Sequence, residues 1–154
     1  MSSTDVNTNI STDGIPSYME GGGDPALANY YPAWLDNLAD DITLEGSMLD
    51  GVVQGAEGAR SIFVAIRSLY GDSQVFRFAG PYGDNDWVED YIAEVHGERL
   101  GCVVLVTRNA AGQAQHVVAG YRPRSSLLLL SRLLREKFAG TPFGDQFAAS
   151  EPGA

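Results

Sequence analysis

A chain of 154 residues with 44% hydrophobic and 10% aromatic content is the size and composition of one globular domain that buries its own core. A formal net charge of -10, with no Lys/Arg cluster, leaves no basic footprint and excludes nucleic acid and anionic membrane as partners. The single cysteine, Cys102, has no internal disulfide partner and fits a reducing, cytoplasmic setting, and the N-terminus lacks the basic and apolar regions of a secretory signal. The longest apolar run, Leu127 to Leu130, is far too short to span a bilayer.

Residues 1–24 begin with a polar stretch that offers little apolar surface to bury, and Gly21-Gly22-Gly23 supplies a joint. They are expected to form a disordered or loosely docked arm. Asp24 ahead of Pro25 is an N-cap followed by proline at the first helical position, the start of a short helix. Pro32 interrupts it, and a second short helix is expected through Trp34, Leu35 and Leu38, ended by Asp40 and Asp41. Ile42 and Leu44, then Val52 and Val53, read as extended pieces broken at Gly46 and Gly51. The spacing of Ala59, Ile62, Phe63, Ile66, Leu69 and Tyr70 predicts a helix over Ala56 to Tyr70 with one apolar face. Arg60 and Arg67 fall off that face, and Gly71 closes the helix.

Strands follow. The first runs from Gln74 to Gly80, with Phe76 and Phe78 on one face. The second runs from Trp87 to Val95 and reverses at His96-Gly97-Glu98. The third, Leu100 to Thr107, is apolar on both faces, which calls for a cover on each side. Asn109 to Gly112 forms a hairpin turn, and the last strand runs from Gln115 to Tyr121, stopped by Pro123. A closing helix from Ser126 to Phe138 carries Leu127, Leu130, Leu134 and Phe138 on one face, with Ser125 or Ser126 as its cap. The domain therefore occupies 25–139, and 140–154 reads as an irregular tail.

Leu38 to Glu45 (Leu-Ala-Asp-Asp-Ile-Thr-Leu-Glu), then Val53-Gln-Gly55, then the helix with Ile62 and Phe63, resembles the nuclear transport factor 2-like superfamily. That group includes ketosteroid isomerase and the SnoaL-like cyclases. The hairpin Arg108 to Gln113 and the Tyr121-Arg122-Pro123 exit resemble the same family, closest to its uncharacterised bacterial members. The resemblance implies an α+β cone, a curved antiparallel sheet wrapped around a long helix, with short N-terminal helices and a C-terminal helix. It also implies a pocket at the open end and a homodimer packed through the outer sheet face. It implies no single chemistry, because fold alone does not give function.

The residues that ketosteroid isomerase chemistry needs are replaced. Gly46 stands where the general base belongs, and Val104 where the protonated aspartate belongs. The tyrosine of the long first helix has no counterpart. Asp40 and Asp41 read as helix-to-strand punctuation, and Asp84 and Asp86 as a solvated turn too sparse in oxygens for calcium. His96, His116 and Cys102 have no metal-ligand spacing, so neither a metal nor another cofactor is expected. His116 is expected to face away from the pocket lined by Val104, Val106, Val117, Ala119 and Tyr121.

Trp87, Glu89 and Tyr91 share one strand face by their period-two spacing. One register turns that face to the pocket and makes Glu89 a desolvated acid or base, the candidate catalytic residue. A register differing by one residue instead turns Asp90 and His96 inward and leaves Glu89 exposed. The expected ligand-binding residues are Trp34, Met48, Phe63, Trp87, Tyr91 and Tyr121. Three functions stay open: a pocket for a small apolar or aromatic molecule, a metal-free isomerase, dehydratase or cyclase, and a homodimeric interaction module with a filled pocket.

Overall fold

A computed structural model of the chain describes residues 21–149, so most of the expected N-terminal arm lies outside the described residues. Six strands form one sheet: β1 (Leu38–Gly46), β2 (Val53–Gln54), β3 (Val75–Tyr82), β4 (Asp86–Val95), β5 (Glu98–Arg108) and β6 (Ala114–Arg122). Their spatial order is β2-β1-β6-β5-β4-β3. Two helices, α1 (Ala56–Tyr70) and α2 (Arg124–Lys137), complete an α+β architecture in which the curved sheet closes around α1. The sheet is mixed rather than antiparallel throughout, because β1 runs parallel to β6 while the other neighbours alternate.

Helix α1 has the bounds its periodicity predicts, and it buries Ala59, Ile62, Ala65, Ile66 and Tyr70. Phe63 is half-buried and packs against the core from the rim. Gly71, at φ 58°, ends the helix in a conformation that glycine adopts without strain. The core lies between this face, Leu130 and Leu134 of α2, and the inward residues of β1, β4, β5 and β6.

Three local expectations are corrected. Leu38 to Asp41 continue no helix; the helical piece is a 3-10 turn at Ala33–Asp36, and Leu38 already starts β1. Pairing with β6 supplies that segment with backbone partners that local spacing does not reveal. Phe76 and Phe78 lie on opposite faces, because a register shift between them adds a residue. Phe76 is buried opposite Tyr91, whereas Phe78 stands half exposed opposite Asp90. The serine cap of α2 is absent: Pro123 holds the cap position, and Ser126 Oγ instead donates to the Arg99 carbonyl at 2.6 Å.

The segment after Gly140 is also more regular than expected. A 3-10 turn at Gly144–Gln146 leads to Phe147, which is buried against Phe138. The Gln146 side-chain amide accepts from Gly51 N–H at 3.1 Å and donates to the Val52 carbonyl at 3.1 Å, so it pairs with the chain just ahead of β2. The Asp24 cap is as expected, its carboxylate accepting from Ala26 N–H at 2.9 Å over a 3-10 turn at Pro25–Leu27. No helix among the described residues is long and apolar enough to cross a membrane.

Ile62 is fully buried, so Ile62→Ala should cost about 2–5 kcal/mol in urea denaturation. Ile66→Asp, which places an unpaired charge in the core, should abolish the cooperative transition. An unchanged midpoint in either variant would remove this face of α1 from the core.

Candidate functional site

The site is set by strand register. Val95 pairs with Glu98 across a two-residue turn, with His96 at φ 50° and Gly97 at φ 81°. Two positive φ values in succession are what a tight hairpin turn of the type I′ class requires. Counting back along the pair puts Glu89 opposite Val104 and Tyr91 opposite Cys102. Glu89 therefore points inward and is 2% exposed. Asp90 points outward and pairs with Arg122 at 3.1 Å, and His96 is exposed at the turn. The inward Asp90 and His96 of the alternative register are thus overturned, because the loop holds His96 and Gly97 and fixes the opposite parity.

Inside the cone, Glu89 lines a cavity of about 40 Å³ together with Trp34, Met48, Phe63, Tyr91 and Tyr121. Ile66, Tyr70, Val104, Val117 and Ala119 complete the apolar wall, with Pro32, Leu35, Arg67 and Gln74 also lining it. Five of the six expected ligand-binding residues are lining residues, and Val106 is buried without lining. Trp87 is the exception: its indole touches the carboxyl group of Glu89 instead.

Glu89 Oε2 is crowded with donors. Trp34 Nε1–H donates to it at 3.0 Å, Trp87 Nε1–H at 3.1 Å, and the Tyr30 hydroxyl donates as well. Trp87 Nε1 also lies 2.9 Å from the Tyr30 hydroxyl oxygen, so the three groups form one cluster. Oε1 takes no hydrogen bond from any described residue. An indole N–H only donates, so Oε2 is the acceptor oxygen in both ionisation states. The proton of the neutral acid therefore belongs on Oε1.

Burial pushes the Glu89 carboxyl above its usual range, against the pull of the Tyr30, Trp34 and Trp87 hydrogen bonds, which favour the charged form. Burial likewise raises Tyr30, helped by its bond to the Glu89 carboxyl. A second polar pole faces the same cavity. The hydroxyls of Tyr70 and Tyr91 lie 2.7 Å apart, Tyr121 lies near both, and burial raises all three phenols. Cys102 beneath them is pushed up to about 12 by burial, so its thiol stays protonated and inert.

Three contributors escape the sequence pattern. Tyr30 lies two residues before Pro32 in a segment with no period, and only the fold brings it to a residue 59 positions away. Arg67 falls off the apolar face by helical spacing, yet it lines the mouth of the cavity. Tyr70 does share the apolar stripe with Ile66, and that shared face was the available signal. His116 faces outward as expected, bonded to Thr43 and 3.2 Å from the Glu45 carboxylate. At Gly46 a Cβ would meet the Ala119 carbonyl at 2.1 Å, so no side chain fits where ketosteroid isomerase would place its base.

No family model matches this chain, and no curated protein matches it. Solved structures do match. An uncharacterised protein from Silicibacter pomeroyi with a cystatin-like fold aligns with a TM-score of 0.65 at 15% identity, over 75% of this chain and 83% of that one. A steroid delta-isomerase from Pseudomonas aeruginosa aligns with a TM-score of 0.63 at 17% identity, over 74% and 85%. The fold is the cystatin-like, nuclear transport factor 2-like cone. A de novo designed curved-sheet protein aligns with a TM-score of 0.51 at 16% identity, over 87% of this chain and 100% of that one. At such identities the likeness is one of fold, and the cone's chemistry has to be read from its own side chains.

The raised Glu89 gives a stability signature. The folded state holds the proton over a range in which the unfolded chain has already lost it, so stability is full below the ordinary carboxyl range and falls as pH rises through the folded value. Glu89→Gln keeps an oxygen for the two indoles and removes this titration. Its melting temperature relative to wild type should climb between pH 4 and pH 8; a constant difference would mean that Glu89 is not raised.

Proposed function

We propose that this cone domain binds one small apolar or aromatic molecule and that Glu89 holds a polar group of it through Oε1. One observation supports the reading: a carboxyl group 2% exposed keeps one oxygen saturated by three donors and the other without a partner among the described residues, in the wall of an apolar cavity. Buried polar groups are ordinarily paired, so an unpaired carboxyl oxygen favours a ligand group or water as its complement. Where binding leads to reaction, the chemistry is metal-free acid–base turnover of the isomerase, dehydratase or cyclase kind, with Glu89 as the proton carrier. Its proton sits on the oxygen that a bound molecule would meet. The ketosteroid isomerase route itself is disfavoured by Gly46 and Val104. The single buried thiol, Cys102, suits a reducing, cytoplasmic setting.

The volume supports a second reading. About 40 Å³ holds roughly two to four waters, at about 10–15 Å³ each. A homodimeric interaction module with a filled cone would have such a cavity. The two readings part on ligand uptake. Titration with 2-phenylethanol, followed by the emission of Trp34 and Trp87, should give a saturable change in the wild type and none in Ala119→Phe, which fills the cavity. A flat wild-type titration would leave the interaction module.

We also propose that the protein dimerises through the outer sheet face. Val103 and Leu105 stand 39% and 40% exposed there, with the half-buried Val118 and Val88 on either side of Leu105 in register. Both helices lie on the other side, so this apolar strip has no cover among the described residues. Sedimentation velocity at micromolar concentration should give a dimer, and Leu105→Asp a folded monomer. A wild-type monomer would overturn the proposal.

A further inference from the structure

We infer that Arg67 is the docking point for an anionic group on the bound molecule, so that the ligand class is a small aromatic or alicyclic carboxylate. The inference rests on the binding reading above and adds the ligand's charge to it.

Several of the 10 basic residues make no salt bridge with a described acid, and Arg67 is the one cation in the lining of the Glu89 cavity, where its charge also pulls the Glu89 carboxyl down. Arg122 pairs with Asp90, and Arg135 pairs with Asp145 and donates to the Phe147 carbonyl. Arg67 makes no ion pair and no hydrogen bond with any described residue; its guanidinium stacks over the Tyr31 ring, 5.3 Å from the centroid. Its place in the last turn of α1 suits the negative end of the helix dipole, but that role leaves all five N–H donors unused.

Position adds the second argument. Arg67 lies in the wall of three neighbouring cavities. One is the Glu89 cavity. The next, of about 320 Å³, lies between the Asp24–Pro25 turn and Phe76 of β3, and the third, of about 220 Å³, lies between Tyr31, Leu35 and Phe63. On the scale where a dry cavity of about 150 Å³ takes up benzene, the Glu89 cavity alone is too small for a ring. Arg67 is the one residue that lines all three, so the space large enough for a ring meets the Glu89 cavity at its side chain.

The chemistry of the engaged group follows. A guanidinium offers paired N–H donors in a planar fork that matches a carboxylate with two parallel bonds. Phe63 and Ile66, four and one residues before Arg67 on α1, supply the apolar wall for the ring. An ammonium in the same place would face the guanidinium, and a neutral alcohol would use at most part of the fork. Deeper in, Oε1 of Glu89 and the tyrosine hydroxyls remain available to a neutral polar substituent.

The test uses three probes of similar shape, phenylacetate, 2-phenylethanol and 2-phenylethylamine, each titrated into the full chain with Trp34 and Trp87 emission as the readout. Wild type should bind phenylacetate at least tenfold more tightly than 2-phenylethanol, with 2-phenylethylamine weakest. Arg67→Gln should abolish that preference, and Arg67→Lys, which keeps charge without the fork, should retain only part of it; circular dichroism checks that both variants fold. Equal or tighter binding of the neutral or cationic probe to wild type would overturn the Arg67 assignment while the pocket reading stands. So would an Arg67→Gln variant that keeps the anion preference. If wild type takes up none of the three, the pocket reading falls and the Arg67 assignment with it.

Discussion

The two-residue turn at His96 and Gly97 decides which side of the sheet every residue of its two longest strands faces. Side chains alternate with a period of two, so a slip of one residue would exchange the inner and outer sets completely. With Val95 set opposite Glu98, the inner face of β4 and β5 presents Glu89, Tyr91, Cys102 and Val104, and the outer face presents Asp90, Val103 and Leu105. The cavity, its buried acid and the apolar outer strip are all consequences of that parity. Pairing of β5 with β6 extends it, adding Tyr121 and Ala119 to the inner rows.

Burying a carboxyl group is unfavourable unless its oxygens are satisfied, and the cone meets half of that demand with an unusual donor set. Two indoles and a phenol reach Oε2 from two parts of the chain: Tyr30 and Trp34 from the segment before β1, and Trp87 from the same strand. The segment has only short 3-10 turns of its own, so much of its order comes from this shared acceptor and from edge contacts such as Tyr30 on Phe76. The acid is thus both the polar feature of the cavity and the tether of the chain that roofs it. Any molecule that competes for Glu89 acts on the roof as well.

Much of the fold was legible because its strongest signals are local. The bounds of α1 follow from a stripe of apolar side chains, and the Asn109–Gly112 hairpin follows from its turn residues, with Gly112 at φ 81°. What was not legible depends on partners distant in sequence. Leu38 and Ala39 sit at helical spacing from Trp34 and Leu35, and only β6, some 75 residues on, makes them strand. The bulge beside Phe76 and the side of the sheet that Glu89 faces are pairing events, invisible to alternation within one strand. The site divides the same way. Trp34, Phe63 and Tyr91 announce themselves as large apolar residues on patterned elements, whereas Tyr30 and Arg67 matter for where the closed cone leaves their polar ends.

The Gln146 amide has a consequence for how the sheet ends. β2 is the terminal strand, and the residues just ahead of it would offer bare N–H and C=O groups to any passing strand. Gln146 occupies one of each with its own side chain, its backbone carbonyl takes the Asp50 N–H at 3.0 Å, and Phe147 pins the segment to the core. The closing residues thus work as a selvedge, the finished border that keeps a cloth from unravelling. Trimmed back to Ala139, the cone would lose this guard against edge-to-edge association along with the core contact of Phe147.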